Sequence, residues 1–343
     1  MKTKILQPHQ LEEPAQLLRQ GELVAFPTET VYGLGANALD SQAVAKIFQA
    51  KGRPSDNPLI IHIAQLEDLS LLTTEFPPLA QLLAQKFWPG PLTLVLPAAP
   101  DVPAEVTAGL DTVALRMPDH PIALQLIKAA GIPLAAPSAN RSGKPSPTKA
   151  AHVSQDLDGK IAAIIDGGPC DVGIESTVVD VTGAKPVILR PGGITLEMLS
   201  EALGESADPF SDANQNLQRP RSPGMKYTHY APQAPLYLLS GSWEEQLEEL
   251  HKLQKANKSK ARNIGLLITQ ESYNRIENEA NFVVQVAGSR ENLKQIAAGL
   301  FDSLRAFDET EVDLIIAETY PSKGLGLALM NRLSKAAGGR TWE

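Results

Sequence analysis

Cysteine is almost absent from this 343-residue chain, which contains Cys170 and no other. A single cysteine excludes a disulfide within the chain, and such sparing use of cysteine favours a reducing compartment. No histidine lies near Cys170 in the sequence, so the thiol lacks the neighbouring base of a cysteine nucleophile. We therefore expect Cys170 to be a small buried apolar residue.

Long hydrophobic runs are also missing, since no apolar stretch approaches the roughly 20 residues that a helix needs to cross a bilayer. The basic start, residues 1–5, is not followed by the apolar segment and cleavage site of a secretion signal. The formal net charge is -8, so no global positive charge attracts nucleic acid. This composition predicts a cytoplasmic globular protein without a membrane partner, which would bind anions or RNA only at a local basic cluster.

Several common motifs of nucleotide, acyl and metal chemistry do not occur. The sequence contains no Gly-x-x-x-x-Gly-Lys-Ser/Thr phosphate loop, no Gly-x-Ser-x-Gly elbow and no cluster with metal-ligand spacing. Residues 33–38, with Asp56 about 20 residues later, imitate a dinucleotide-binding turn. Six residues separate Phe26 from Gly33, however, so these glycines do not form the tight strand-to-helix turn of that motif.

Short apolar segments alternate with amphipathic segments in two parts of the chain. Residues 1–203 predict an α/β domain built on a twisted, open, mixed sheet with helices. Residues 204–235 are rich in polar residues and proline and predict a linker. Residues 236–343 alternate regularly again and predict a smaller Rossmann-like α/β domain.

Cationic and hydroxyl side chains follow several of the predicted strands. The stretch 26–35 leads from an apolar strand, 23–26, into a hydroxyl-rich loop that contains glycines. The other residues of this kind come from five separate loops: Lys51 and Arg53, Arg116, Ser138 and Asn140, Ser176, and Arg190. Open α/β sheets bind ligands at the ends of their strands. The set suits a polyanion and a small hydroxylated molecule, which it would position electrostatically without an evident covalent nucleophile.

Each of these features also has an ordinary structural interpretation. Lys51 and Arg53, which we expect to be mobile on the loop after helix 40–50, suit a solvated helix end. His62, within the apolar strand 59–63, would be a satisfied core histidine. The stretch 26–35 would be a simple turn between a strand and a helix.

Seven short motifs together resemble one family. They are Pro27-Thr28-Glu29-Thr30-Val31-Tyr32-Gly33-Leu34, Lys51-x-Arg53-Pro54, Pro58-Leu59, Arg116-x-Pro118, Pro137-Ser138-Ala139-Asn140, Ser146-Pro147-Thr148 and Glu175-Ser176-Thr177. In this combination the chain resembles the YrdC-like family, most strongly over residues 10–200. Through the linker and the C-terminal domain it resembles the longer members, the two-domain threonylcarbamoyl-AMP synthases.

The resemblance implies a nucleotidyltransferase that converts L-threonine, bicarbonate and ATP into threonylcarbamoyl-AMP and pyrophosphate. Downstream threonylcarbamoyl transferase machinery would use the product to form N6-threonylcarbamoyladenosine (t6A) in tRNA. Mg2+ would be bound with ATP and would neutralise pyrophosphate, without metal ligands assigned to the protein. Direct contact with tRNA or double-stranded RNA stays open, as does the identity of any general base.

The resemblance also implies a role for each site residue. Lys51 and Arg53 would be catalytic, with Lys51 steadying phosphate or carbamate charge, and Arg116 would pair with the carboxylate of threonine. The residues implied to hold L-threonine are Thr30, His62, Arg116, Ala136 and Ser176. Those implied to hold ATP are Arg53, Asn57, Thr112, Ser138, Asn140, Ser146, Arg190, Tyr227 and His229.

Two other functions on the same fold stay open. A double-stranded RNA-binding module would explain the basic loops, but it gives Thr30 and Ser176 no particular role. A carbamoyltransferase domain of hydrogenase maturation comes with zinc-finger segments, which a chain with one cysteine cannot supply.

The end of the predicted linker, residues 222–232, is too aromatic for a simple spacer. It carries Lys226, Tyr227, His229 and Tyr230 between glycine and proline residues. We expect this segment to close over the nucleotide and exclude water, with the C-terminal domain anchoring its far end.

Overall fold

The computed structural model describes residues 2–204, 229–257, 263–276 and 282–342. Two units divide the chain: Met1–Ser142 with Ser146–Tyr227, and Gly143–Pro145 with Thr228–Glu343. The predicted linker lies mostly outside the described residues, so its bounds, and those of the predicted domains, stay predictions. Among the described residues, none of the helices has both the length and the apolar character needed to cross a bilayer.

The first unit contains the strands β1 to β10 and the helices α1 to α8. The strands are β1 (Lys4–Leu6), β2 (Val24–Phe26), β3 (Gly33–Asn37), β4 (Ile60–His62), β5 (Leu92–Pro97), β6 (Thr112–Arg116), β7 (Leu134–Ala135), β8 (Ala163–Ile165), β9 (Thr177–Asp180) and β10 (Val187–Arg190). The helices are α1 (Glu12–Arg19), α2 (Ser41–Lys51), α3 (Leu69–Leu72), α4 (Pro78–Phe87), α5 (Ala104–Thr107), α6 (Pro121–Ala130), α7 (Ala150–Leu157) and α8 (Leu196–Leu203). A short 3-10 helix, Leu66–Asp68, precedes α3.

The ten described strands of this unit form one sheet in the order β1-β8-β2-β3-β7-β4-β6-β5-β9-β10. Some neighbours are parallel, such as β4 and β6, and others are antiparallel, such as β5 and β6. The mixed sheet predicted from the sequence is therefore confirmed.

The sheet has an apolar cluster on each face. On one face Val24 and Phe26 pack in a cluster that includes Leu126 of α6. On the other face Ala25 packs in a cluster that includes Ile47 of α2. Since successive residues of a strand point to opposite faces, covering both faces explains why the strands are apolar without alternation.

Helix α2 forms where its sequence predicts it. The carboxylate of Asp40 caps its N-terminus by accepting hydrogen bonds from the N–H groups of Gln42 and Ala43, at 2.9 and 3.2 Å. Gly52 ends it in the left-handed conformation, with φ of 60°, where glycine avoids the steric cost of a side chain. These local interactions fix the position of Lys51, the last helical residue.

The prediction of a loop at the end of the stretch 26–35 is wrong, because residues 33–37 form strand β3. This strand pairs antiparallel with β2 and with β7. A Cβ added at Gly35 would lie 2.9 Å from Cε1 of Phe26, so the glycine leaves room for the aromatic ring. The glycines therefore serve packing within the sheet, which agrees with the rejection of a dinucleotide-binding turn.

The second unit contains a smaller sheet. Its elements are β11 (Leu236–Leu239), α9 (Trp243–Asn257), β12 (Ile264–Ile268), α10 (Gln270–Tyr273), β13 (Phe282–Val286), α11 (Leu293–Phe307), β14 (Leu314–Ala317), α12 (Leu325–Ala337) and β15 (Thr341–Trp342). The described strands are all parallel, in the order β13-β12-β14-β11-β15. The predicted Rossmann-like α/β architecture is confirmed.

Candidate functional site

The residues implied to hold threonine begin at one edge of the larger sheet, where the parallel strands β4 and β6 end. His62 closes β4, Arg116 closes β6, and the two are Cα partners. The backbone N–H of Ala136 donates a 2.9 Å hydrogen bond to the carbonyl oxygen of Ile60 in β4. Three of the five residues in this set therefore lie on adjoining backbone segments.

Thr30 is placed near this edge by the turn that follows β2. Its Oγ1 lies 2.8 Å from Oγ1 of Thr28, within a buried turn. The next side chain, Glu29, has its Oε2 2.7 Å from Nη2 of Arg116, and both residues of this ion pair are buried. The ion pair fixes the segment that contains Thr30 beside the end of β6.

Ser176, the fifth residue of the threonine set, directly precedes β9. Its Oγ lies 2.8 Å from Oγ1 of Thr93 in β5. Nη2 of Arg190 donates to the carbonyl oxygen and to Oγ of Ser176, at 3.0 and 3.1 Å. Arg190, implied by resemblance to hold the nucleotide, thus positions Ser176.

The backbone around Ser176 is closely packed. A Cβ added at Gly192 would lie 2.4 Å from the carbonyl oxygen of Glu175, from the carbonyl carbon of Ser176 and from the nitrogen of Thr177. A larger residue at position 192 would displace this segment. Ser146 joins the same group, because its Oγ donates a 2.5 Å hydrogen bond to Oε1 of Glu175.

The loop after α4 links Ser176 to Arg116. The N–H of Thr177 donates to the carbonyl oxygen of Pro91 at 2.9 Å. The preceding residue, Gly90, accepts a long hydrogen bond of 3.4 Å from Nε of Arg116. All five residues of the threonine set are therefore connected by short paths of backbone and side-chain contacts.

The expectation that Lys51 is mobile on a loop is wrong, because Lys51 is the last residue of α2 and is only 3% exposed. Its Nζ donates to the carbonyl oxygens of Ser138 and Asn140, at 2.5 and 2.6 Å. Oγ of Ser138 donates to Oδ1 of Asn140 at 2.5 Å. The lysine thus holds in place a loop that carries two residues implied to bind the nucleotide.

Arg53, Asn57 and Thr112 are gathered at a different place. Asn57 shortly precedes β4 and Thr112 begins β6, at the end of this parallel pair opposite to His62 and Arg116. Nη2 of Arg53 lies 3.3 Å from the carbonyl oxygen of Asn57, to which it donates. At about 3.3 Å per residue, the Cα atoms of Thr112 and Arg116 are roughly 13 Å apart. Thr112, implied to hold ATP, and Arg116, implied to hold threonine, therefore lie at opposite ends of β6.

The two residues from the predicted linker that are implied to hold the nucleotide are Tyr227 and His229. Tyr227, like most of the segment expected to close over the nucleotide, lies outside the described residues. His229 is described and belongs to the second unit, where its ring centroid is 5.6 Å from that of Tyr230.

Burial sets the protonation of two residues near the site. Desolvation, together with the positive charge of Arg116, lowers the pKa of His62 to about 3, so its imidazole is neutral at pH 7. Burial raises the pKa of the Cys170 thiol to about 12, which keeps it protonated. Both values agree with a neutral histidine at the strand end and with the expected passive role of the cysteine.

Two functional candidates were missed by the motif-based assignment of roles. Glu29 lies within a quoted motif, and its carboxylate directly after a buried strand was a signal for a site residue. Thr93 is the polar residue of the apolar strand β5, and its Oγ1 contacts Ser176. A hydroxyl group inside an apolar strand needs a buried hydrogen-bond partner, so its presence in the sequence indicates a polar contact near the strand.

Carboxylates, histidines and cysteine do not gather into a metal-binding set in the part of the chain that the structure describes, where no group of three or more has suitable geometry. The cationic side chains Lys51, Arg53 and Arg190 suit an anionic ligand instead.

Comparisons with known proteins cover both units. A family model named Sua5_yciO_yrdC and described as "Telomere recombination" matches residues 16–192. A second model, described as "Threonylcarbamoyl-AMP synthase, C-terminal domain", matches residues 194–338.

Individual relatives match nearly the whole chain. The threonylcarbamoyl-AMP synthase of Bacillus subtilis is 54% identical over 332 residues, 96% of this chain and 94% of the relative. The threonylcarbamoyl-AMP synthase of Pyrococcus abyssi is 51% identical over 326 residues, 95% of this chain and 93% of the relative. The crystal structure of Pyrococcus abyssi Sua5 complexed with L-threonine superposes with a TM-score of 0.91 at 48% identity, covering 99% of each chain.

Proposed function

This chain belongs to the Sua5–YciO–YrdC family, and we propose from that premise that it makes threonylcarbamoyl-AMP and pyrophosphate from L-threonine, bicarbonate and ATP. It is an enzyme of the nucleotidyltransferase class. The observation that carries the proposal is 54% identity over 96% of the chain to a threonylcarbamoyl-AMP synthase. The geometry supports it, because contacts connect the residues of the threonine set and Lys51 holds the loop that carries Ser138 and Asn140.

L-Threonine is proposed to bind at the ends of β4 and β6. The guanidinium of Arg116 matches a carboxylate, and the hydroxyls of Thr30 and Ser176 match the hydroxyl of threonine. Neutral His62 can donate or accept one hydrogen bond without adding charge, and Ala136 contributes backbone atoms. The crystal structure of the relative from Pyrococcus abyssi is a complex with L-threonine, which supports a threonine site in this fold.

ATP is proposed to bind along β6 and the neighbouring loops, through the residues that the resemblance implies. Arg53 lies at the start of β4 and β6, while Ser138 and Asn140 lie on the loop that Lys51 holds. Lys51 therefore acts on the nucleotide through this loop, in addition to its proposed electrostatic role. Mg2+ is proposed to arrive with the triphosphate, since this ion binds to substrate phosphates more often than in all-protein cages.

The proposed reaction needs positioning more than covalent chemistry by the protein. A carbamate oxygen of N-carboxythreonine attacks the α-phosphorus of ATP, the bond to the β-phosphate oxygen breaks, and pyrophosphate leaves. Cationic groups near the phosphates stabilise the charge that develops during this displacement. Mg2+ would neutralise the leaving pyrophosphate when it is bound.

The product is proposed to pass to threonylcarbamoyl transferase machinery for t6A formation in tRNA. A cytoplasmic reaction is consistent with the low cysteine content and with tRNA as the final acceptor.

The test is substrate-dependent pyrophosphate release from ATP by the full chain. Release should require both L-threonine and bicarbonate, and mass spectrometry should detect threonylcarbamoyl-AMP. Release without L-threonine, or an adenylate without the carbamoyl carbon, would refute the proposal.

A further inference from the structure

Glu29 is a buried carboxylate to which the motif resemblance gives no role. Glu29 is 6% exposed and Arg116 is 4% exposed, and their Oε2 and Nη2 atoms are 2.7 Å apart. A charge this deeply buried is costly unless it is paired. Arg116, at the end of β6, supplies the pairing charge.

The pair leaves hydrogen-bonding capacity unused. Both carboxylate oxygens of Glu29 are buried and neither has a hydrogen-bond donor among the described residues; Oε2 makes only the ion-pair contact with Arg116, and Oε1 has no such contact. Buried polar atoms nearly always have a partner, either in the protein or in water or a ligand. An ionised carboxylate accepts several hydrogen bonds, so this oxygen is available to a donor that comes with the substrate.

The chemistry of an α-amino acid fits both members of the pair. At pH 7 an amino acid carries a carboxylate and an ammonium group on the same carbon. A carboxylate that binds Arg116 alone would add a second anion to a cation that Glu29 already neutralises. An ammonium group placed against Glu29 removes this conflict, because each charge then has an opposite neighbour.

The other titratable groups nearby are poor alternatives to Glu29 as the acceptor. His62 is neutral, and its pKa of about 3 makes it a weak base. Glu175 already accepts a hydrogen bond from Ser146 at 2.5 Å. Burial lowers the pKa of His120, although the negative charges of Glu29, Asp171 and Asp119 oppose this effect.

We propose that Glu29 binds the ammonium group of L-threonine and accepts the proton that must leave before the nitrogen can attack bicarbonate. This role rests on the proposed function and extends it with a base for the carbamoylation step. The ammonium gives its proton to the Glu29 carboxylate, which leaves a neutral amine and a carboxylic acid. The amine then attacks the carbon of bicarbonate, and N-carboxythreonine and one water form. Glu29 afterwards returns the proton to solvent.

The forward and reverse reactions separate this role from a purely structural one. The reverse reaction, in which threonylcarbamoyl-AMP and pyrophosphate give ATP and N-carboxythreonine, needs no deprotonation of an amine. The nearly isosteric Glu29→Gln variant should therefore lose much less of its ATP formation from these two compounds than of its forward turnover. Its forward turnover at pH 7 and saturating L-threonine should fall by at least about 100-fold, the lower range for loss of a general base. Glu67→Gln, at an exposed carboxylate of the same unit, is the control and should match the wild type in both directions.

The pH profile gives a second readout. Forward turnover of Glu29→Gln should recover as the pH rises, because free threonine then loses its proton in solution. Glu29→Asp, which keeps the charge, should follow the wild-type profile at a reduced rate, and it provides the test if the glutamine variant does not fold.

Different results would refute the role of Glu29 as a base and the proposed function of the protein. If Glu29 only orients Arg116, then Glu29→Gln raises the KM for threonine, slows both directions alike and keeps the wild-type pH profile. That outcome, or unchanged forward turnover, would refute the role of Glu29 alone. A wild-type protein that is inactive in both directions would refute the proposed function itself.

Discussion

Nζ of Lys51 donates a 2.5 Å hydrogen bond to the carbonyl oxygen of Ser138, which lies 87 residues further along the chain. The same ammonium group also bonds to the carbonyl oxygen of Asn140. The Lys51 side chain, which would suit a solvated helix end, is therefore buried and holds the loop that carries Ser138 and Asn140 through two hydrogen bonds.

Lys51→Met should destabilise the protein because it leaves buried carbonyl oxygens without their donor. Each unsatisfied buried group costs about 1–3 kcal/mol, so the free energy of unfolding in urea should fall by at least that amount. Lys86 is the matched control, since it is an exposed lysine in the last turn of α4. Equal stability of Lys51→Met and Lys86→Met would show that the buried bonds contribute nothing.

Arg116→Ala should weaken both folding and threonine binding. It leaves Glu29 buried without its counter-charge, and breaking a buried ion pair in this way costs about 3–5 kcal/mol. Urea unfolding measures the loss, and the KM for L-threonine should rise in the same variant. Combining it with Glu29→Gln should recover part of the stability but none of the threonine affinity. A double variant as unstable as Arg116→Ala would contradict the pairing.

Acid should destabilise the protein through His62. Its folded-state pKa of about 3 is lower than the ordinary value of 6.5, so the unfolded chain binds more protons between these values. Stability therefore rises with pH across that window and is lost as the pH falls below about 6.5, by up to about 1.4 kcal/mol per pH unit from this one group. His62→Gln should show a shallower acid dependence in urea unfolding at pH 4.5, 5.5 and 7 than the exposed-site control His9→Gln. Parallel profiles for the two variants would show that His62 does not contribute.

Gly192→Ala should disturb the segment that carries Ser176. The added Cβ would lie 2.4 Å from backbone atoms of residues 175–177, so this segment must move. Overpacking of this kind costs about 1–3 kcal/mol, and turnover should fall with it because Ser176 is displaced. Gly183→Ala is the control, since its nearest neighbour is the carbonyl oxygen of Lys185 at 3.8 Å. Wild-type behaviour of Gly192→Ala would contradict the close packing.

The proposed threonine site should discriminate between amino acids by their hydroxyl group. Valine has no hydroxyl group, so the hydroxyl of Thr30 or Ser176 that bonds to threonine would lose that hydrogen bond, at a cost of about 1–3 kcal/mol. Serine keeps the hydroxyl group and lacks only a methyl group. Serine should therefore have a higher kcat/KM than valine when each replaces threonine, measured as pyrophosphate release at fixed ATP and bicarbonate. Comparable kcat/KM values for valine and threonine would exclude this arrangement of the pocket.

Local sequence determined the elements that place these residues. A cap at Asp40 or Ser41, an apolar face and Gly52 predict a helix over 40–50, and the observed range, Ser41–Lys51, follows this prediction closely. The apolar run 23–26 before Pro27 predicts a short buried strand, and β2 is such a strand. Strand β3 was missed because its glycines are typical of turns, while their real partner is the ring of Phe26, which lies on the neighbouring strand.

Motif resemblance identified the family from the sequence alone, and the roles that it implies for the site residues stay predictions. It did not identify the partners of those residues. The pairing of Glu29 with Arg116, the bonds of Lys51 to the loop around Ser138 and the support of Ser176 by Arg190 each join segments far apart in the chain.

The sequence by itself thus determined helices such as α2, most strands and the residue types of the site, because caps, turns and apolar periodicity act between near neighbours. Tertiary structure alone decided which of these residues meet. The strand order places β4, β6 and β7 side by side and sets the ends of β4 and β6 in register. That order depends on how whole strands and helices pack together, and no short stretch of sequence contains it.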